Sequence, residues 1–291
     1  MKKGQDKRID FVFSIILVVA GILALYPLWF VVIASLSDPN QVAMGNVILW
    51  PKGISLEGYK ELLLHPEILV GYRNSLFYLF AGAISSLVVI LPAAYALSRK
   101  KLKGRRVLNF LFVISLYFSG GIVPTYLLHS SLGWLDTVWV LLIPNALLVS
   151  HMVIARSAFE SLPDAMYEAV AIDGGSDFQF FFRFALPLVK ATIAVLFLYA
   201  AVYWWNEYMN FVIYIRNPQL QSLQVVLREI TMQLGRLNTE GMSVEQLMYE
   251  QKVNDLLKYS LVVIAAIPFT VLYPFIQKYF NQGVMIGAVK G

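Results

Sequence analysis

The sequence has no cysteine among its 291 residues, which excludes a disulfide framework and any thiolate-bound metal. Charge is scarce as well. Only 14% of residues are Asp, Glu, Lys or Arg, against 58% hydrophobic, and a soluble domain of this length could hide such a surface only by burying nearly every face. The three histidines, His65, His129 and His151, share no ligand spacing, so a histidine-rich metal site is not expected. There is no Gly-rich phosphate loop followed by Lys and Ser or Thr, so this chain does not cradle ATP in the usual way. Groove-reading motifs and basic domains are also missing, and a net charge of +5 is therefore no argument for nucleic acid.

What charge there is lies in short clusters between long uncharged runs, the pattern of bilayer spans. Phe11–Ser37 follows Lys2, Lys3, Lys7 and Arg8. Its apolar stretch is too long for a signal peptide and no clean small-x-small site follows, so it reads as a first span at 11–37. Further spans are expected at about 74–98, with Asn74 as its cap, and at 107–128, 137–155, 191–215 and 256–276. The whole of 1–291 is then one all-α, six-helix transmembrane domain. Ser119-Gly120-Gly121 and Pro124 interrupt the third span and Pro144 the fourth. A helix broken at membrane depth must line a cavity or lie against protein, because lipid cannot satisfy free backbone groups.

The run Arg99-Lys100-Lys101-Leu102-Lys103-Gly104-Arg105-Arg106 carries six basic residues in a short loop, whereas the next loop carries none. Basic short loops stay on the cytoplasmic side, which puts this segment and both termini inside. The segment itself reads as a solvated loop facing lipid phosphates. On the outside, Asp38–Tyr72 holds Trp50-Pro51 and a short helix near 56–64. Leu220, Leu223, Leu227, Ile230 and Leu234 form one apolar stripe, suited to packing on the protein, to the membrane interface or to a soluble partner.

The polar segment 156–190 is the most informative. Pro163 and Asp164 open a short helix, with the acid near its positive end. Ala165, Ala169 and Ile172 give that helix a small-residue face at i, i+4 and i+7, and Gly174-Gly175 stops it. Ser176 or Asp177 then caps a second helix carrying Phe178, Phe181, Phe182 and Ala185, ending at Leu186-Pro187. Two short helices at a fixed elbow form a lever that a neighbour can push.

These residues resemble the cytoplasmic signature of binding-protein-dependent ABC importer permeases. That signature is Glu-Ala-Ala, three residues, Gly, nine residues, Ile, one residue, Leu-Pro. The chain carries it as Glu168-Ala169-Val170, Gly174, Phe184 and Leu186-Pro187, with every interval matching and Val170 and Phe184 as apolar departures. The order of spans and the end Gly283-Val284-Met285-Ile286-Gly287 are similar to the carbohydrate, maltose-transporter class. Phe118-Ser119-Gly120-Gly121-Ile122-Val123-Pro124-Thr125-Tyr126 is similar to its complex-oligosaccharide branch. The resemblance implies a type I importer permease fold in a prokaryotic cytoplasmic membrane and no catalysis in this chain. It also implies a second permease subunit, two cytoplasmic ATPase subunits carrying ATP and Mg, and an extracytoplasmic solute-binding protein. Ala165, Glu168, Ala169, Ile172, Asp173 and Gly174 are the implied ATPase-coupling residues.

For the substrate path the candidates are Trp204, Trp205, Asn206, Glu207, Tyr208 and Asn210 in the fifth span, with Tyr117, Tyr126 and His129 behind them. Aromatic faces beside amide and carboxylate groups suit a sugar, and Glu207 is the one acid in its run. The same Trp and Tyr residues suit interfacial anchoring equally well. An unrelated polytopic transporter or channel is the alternative, but it would need its own selectivity device. A membrane enzyme would need converging catalytic groups, and only His151 and Glu207 stand at membrane depth, without partners in sequence.

Overall fold

The computed structural model describes residues 2–234, 251–268 and 270–271. Every regular element among them is helical. They fall into two compact units, one running up to Ile68 together with the described part of Leu227–Pro268, the other Leu69–Val226.

The first unit opens with α1, Lys2–Ser35. From Asp10 to Ser35 it is apolar enough to cross a membrane, and none of its most apolar window is buried by the rest of the chain. That is the environment lipid supplies. Trp29 donates its indole N–H to the Leu49 carbonyl at 2.8 Å and meets Trp50 edge-on. Asp38 caps the short α2, Pro39–Ala43, by accepting from the backbone of Asn40 and Gln41. The expected short helix near 56–64 is α3, Glu57–Leu63. Gly58 has no room for a Cβ, which would sit 2.5 Å from Ser260 Oγ on the helical segment 251–268. Of the expected last span, 256–268 is helical; the segment beyond 271, including the Gly283–Gly287 end, lies outside the described residues.

The second unit is built on α4, Pro66–Ser98, the other helix able to span alone. It starts well before the expected cap. Asn74 lies inside the helix, and its side-chain amide donates to the carbonyls of Gln219 and Gln221 at 2.7 and 2.9 Å. Ser75 Oγ accepts from the Leu223 N–H at 2.8 Å, and Gly71 keeps that approach open. The segment so held passes through a 3₁₀ turn, Pro218–Leu220, into α14, Leu223–Leu234. Leu223, Leu227 and Ile230 of the expected stripe are buried, so this face packs on the protein; the Leu234 side chain is outside the description.

The expected third span is two helices. α5, Arg105–Ser115, ends nine residues before Pro124, and α6, Ile122–Ser131, starts after Gly121 at φ 84°. The fourth is α7, Trp139–Leu142, and α8, Val149–Glu160, separated by the turn around Pro144. α8 runs past the expected end at Ala155, which moves Arg156 from loop to helix. The signature segment forms α9, Asp164–Ile172, and α10, Asp177–Phe180. Leu186-Pro187 does not stop the second of these. The chain passes through a π-helical turn, Phe181–Ala185, and the three residues of α11, Leu186–Leu188. It bends by 79° only at α12, Lys190–Asn206. Pro187 has no N–H for the preceding turn, and the wider π turn relaxes the ladder ahead of it. The fifth span breaks again, at Glu207-Tyr208, before α13, Met209–Tyr214.

Thus two helices among the described residues are long and apolar enough to span by themselves, and a third if the bent pair Asp177–Leu188 and Lys190–Asn206 is one crossing. The expected third, fourth and fifth spans are assembled from shorter pieces.

Candidate coupling loop and transport path

The elbow between α9 and α10 forms for local reasons. Pro163 takes extended backbone angles before the first turn of α9, and Asp164 places its carboxylate there. At the other end Gly175 N–H bonds to the Val170 carbonyl at 2.8 Å and Gly174 N–H to Ala171 at 3.1 Å. This is the glycine-terminated Schellman pattern, with Gly174 left-handed at φ 75°. Ser176, rather than Asp177, then caps α10: its hydroxyl accepts from Gln179 N–H while the Gln179 side chain accepts from Ser176 N–H.

α9 has two faces. Met166, Tyr167 and Val170 turn inward onto a buried cluster that includes Tyr95, Phe159, Phe180 and Phe181. Ala165, Glu168, Ala169, Ile172, Asp173 and Gly174, the six residues expected to couple, are all exposed, and Ile172 is 86% so. The signature departure at Val170 has a packing consequence. A Cβ on Gly175 would stand 2.5 Å from Val170 Cγ1 and 2.8 Å from the Val170 carbonyl oxygen, so the valine adds to a crowding that the backbone already imposes on the second glycine. At the other departure, Phe184 stacks on Phe180.

The basic segment is not simply solvated. Arg99 lays its guanidinium 3.7 Å above the Tyr167 ring centroid. Lys100 pairs with Asp164 at 2.8 Å, and the hydrogen bond and charge of Lys100 hold the Asp164 carboxyl below its ordinary pKa. Arg105 donates from Nε to the Leu97 carbonyl at 2.7 Å and pairs with Glu160. Arg156 reaches Asn109 at 2.6 Å, joining α8 to α5. Lys101, Lys103 and Arg106 remain exposed. A cavity of about 380 Å³ lies between the basic segment and α9, walled by Arg99, Lys101, Arg105, Glu160, Asp164 and Glu168. In sequence, the signal for these contacts was opposite charge on two loops of the same side.

The candidate path residues separate. Trp204 and Trp205 are 1% and 2% exposed and belong to the packed interior. A Cβ on Gly82 would overlap the Trp204 indole, and Trp205 meets Tyr72 edge-on. Asn206 is exposed, and Glu207, Tyr208 and Asn210 are half-buried around the helix break. Glu207 Oε1 accepts from the Asn210 N–H at 3.0 Å, capping the first turn of α13. Tyr203 donates its hydroxyl to Asn145 Oδ1 at 3.0 Å, which fastens the α12–α13 break to the α7–α8 turn; sequence spacing carries no trace of that link. Half-buried Tyr126 and buried His129 lie in an aromatic cluster with Trp134 and Tyr214, while Tyr117 is 80% exposed. Asp136, at φ 61°, accepts from the N–H groups of Arg216 and Asn217 and pins two loops together.

Residues 68–286 match the family described as binding-protein-dependent transport system inner membrane component. The chain belongs to that family. Among curated relatives of this permease, Protein LplC of Bacillus subtilis is 34% identical over 93% of this chain and 91% of its own length. The polygalacturonan/rhamnogalacturonan transport system permease protein YtcP of the same organism is 32% identical over 99% of this chain and 100% of its own. A crystal structure of a bacterial ABC transporter involved in the import of the acidic polysaccharide alginate contains a chain that superposes with TM-score 0.85. It is 30% identical and covers 95% of this permease and 98% of that chain. The type I importer permease fold and the carbohydrate-permease kinship expected from the sequence are thereby established.

Proposed function

We propose that this permease subunit imports a carbohydrate, an oligosaccharide, receiving it from an extracytoplasmic binding protein and drawing energy from cytoplasmic ATPase subunits that hold ATP and Mg. The observation that carries this reading is the outward face of α9. Ala165, Ala169 and Ile172 place small and apolar groups at the surface of a short helix, and the segment sits beside the most basic loop of the chain, on the side where such loops stay. Ile172, 86% exposed, extends the small-residue face of Ala165 and Ala169, and we assign that face to the ATPase contact. The small residues allow a close approach, and Gly174 ends the helix without a side chain in the way.

A second permease subunit has its own support. The α5–α6 break begins after eleven residues of helix counted from the basic loop, a depth of about 16 Å. Residues 116–124 are exposed on this chain. Free backbone groups at that depth need protein rather than lipid over them. We assign that cover to the partner subunit, and place both termini in the cytoplasm.

Oligosaccharide as the cargo follows from the relatives, which include a permease named for galactooligosaccharide transport, 26% identical over 95% of this chain, together with the polygalacturonan/rhamnogalacturonan and alginate systems. Asn206, Glu207, Tyr208 and Asn210, exposed or half-buried at a helix break, are the path residues, and Trp204 and Trp205 form the wall behind them. The test is substrate-stimulated ATPase activity of the reconstituted complex with its binding protein, across neutral galacto-oligosaccharides and uronate oligosaccharides. Stimulation by one saccharide class supports the reading. Stimulation by none, with an amino acid or ion active instead, removes the carbohydrate assignment.

A further inference from the structure

We infer that Arg99 is a positioning residue for energy coupling: stacked on Tyr167, it fastens α9 to the cytoplasmic end of α4, so that a displacement of α9 is delivered directly into that span. The inference rests on α9 being the ATPase-facing lever.

α9 has two covalent routes into the transmembrane helices, and neither is a continuous helix. Towards α8 it is joined through the non-helical residues 161–163. Towards α12 it passes the glycine elbow, a π-helical turn and a 79° bend. A push on α9 along either route has to pass through turns rather than along one helix. Across the gap to α4, by contrast, α9 is met directly, side chain to side chain. The Arg99 guanidinium lies 3.7 Å from the Tyr167 centroid and 5.7 Å from the rings of Tyr95 and Phe180. It therefore sits among aromatic faces contributed by α4, α9 and α10. Guanidinium over tyrosine is attractive both as charge on a quadrupole and as planar stacking.

The neighbouring residues hold that stack in place. Lys100 ties the first residue of α9 through Asp164 at 2.8 Å. Arg105 folds back to accept position from α4 itself, donating to the Leu97 carbonyl of its last turn while pairing with Glu160 at the end of α8. Beneath them, Tyr95 of α4 packs on Phe159 and Phe181 at 5.6 and 4.9 Å between centroids. The basic segment, which orients the chain in the membrane, thus serves also as a strap between lever and span.

The experiment uses the reconstituted full complex and compares binding-protein stimulation of the ATPase and cargo moved per ATP. Arg99→Ala and Tyr167→Leu remove the stack. Tyr167→Phe keeps the ring, and Arg99→Lys keeps the charge but loses the plane. Coupling free energies between sites correspond to about 5–150-fold effects. With one strap of the linkage removed, stimulation falls at the low end, about fivefold, in Arg99→Ala and Tyr167→Leu. Tyr167→Phe stays near wild type, Arg99→Lys falls between, and the ATPase co-purifies with all four. Wild-type stimulation and stoichiometry in Arg99→Ala overturn the inference and leave the coupling reading intact. Failure of the wild-type chain to bind any ATPase overturns both.

Should Arg99→Ala fail to assemble, the cysteine-free chain offers a second measurement. Lys100→Cys and Asp164→Cys, joined by a short bifunctional maleimide, lock α9 to the end of α4. Transport that survives the cross-link supports movement as one body, and transport abolished by it refutes that.

Discussion

Removing the Trp204 side chain tests whether the aromatic run of the fifth span is wall or binding site. Trp204 is 1% exposed, and its ring occupies the space that a side chain at position 82 would need. Its indole N–H is buried without a hydrogen-bond partner, so truncation forfeits packing and no polar contact. Burying a Trp and then deleting it to Ala costs about 3–5 kcal/mol in well-packed interiors. Against a typical stability of roughly 5–15 kcal/mol, that lowers the folded-to-unfolded ratio by about a hundredfold or more. Trp204→Ala is therefore expected to reduce the melting temperature and the membrane yield of the purified complex, with the Km of surviving complex unchanged. Gly82→Ala in the wild-type background overpacks the same contact, at about 1–3 kcal/mol. In the Trp204→Ala background its methyl enters vacated space, and the helix gains about 1 kcal/mol from losing a glycine. The two substitutions should then compensate, with a coupling energy of about 1–3 kcal/mol in a double-mutant cycle read by thermal unfolding. Strict additivity would show that the contact is not as described. A Trp204→Ala complex of normal stability and raised Km would place the ring in the path instead.

Three further outcomes follow from the loop and the break. Gly175→Ala should disturb the α9–α10 elbow more than Gly174→Ala, although Gly174 is the left-handed residue. Position 174 has open space and costs about 1–2 kcal/mol for its φ alone, whereas a methyl at 175 meets both the Val170 side chain and its carbonyl oxygen; protease sensitivity of the loop in the assembled complex reads the difference, which Val170→Ala should reduce only in part, because the carbonyl contact stays. Glu207→Gln keeps an acceptor for the Asn210 N–H and should leave stability near wild type, while Glu207→Ala loses the cap at about 1 kcal/mol; equal melting temperatures for the two variants would remove the capping role. Asp164 has a lowered pKa, so whatever its pair with Lys100 contributes is complete above the ordinary carboxylate range and is lost as pH falls through the folded value. Being exposed on both sides, the pair should make Asp164→Asn hardly distinguishable in stability across neutral pH; a melting difference that changes between pH 6 and 8 would contradict the assignment of that titration.

Much of this architecture is local in origin and legible in the sequence. Two of the uncharged runs, 11–37 and 74–98, fall on the helices long and apolar enough to span alone, Pro163-Asp164 and Gly174-Gly175 bounded α9, and Gly120-Gly121 marked the α5–α6 break. The features that escaped are set by distant residues. Asn74 lies inside α4, which starts at Pro66, with its amide and the Ser75 hydroxyl engaged near position 220; viewed alone, an asparagine before a charge-free run reads as a cap. The break at Glu207-Tyr208 contains neither Pro nor Gly. It is held by a carboxylate capping the next turn and by Tyr203 reaching Asn145. The two tryptophans before it have a pattern compatible with path, anchor or core, and only the glycine opposite Trp204 decides among them. The basic segment gave the orientation through its charge, but its grip on α9 depends on ring geometry that spacing does not encode.

The most direct test of the account is recovery of ATPase subunits with the affinity-purified permease after co-expression of the whole system, comparing wild type with Ile172→Asp. Ile172 is 86% exposed on the chain alone, so the substitution leaves the permease itself folded and paired. Covering an isoleucine is worth about 1.5–3 kcal/mol, and burying a charge in its place is worse, so ATPase recovery should fall by at least about tenfold. Equal recovery with Ile172→Asp, or no ATPase with the wild type, would contradict the claim that α9 is where this permease receives its energy.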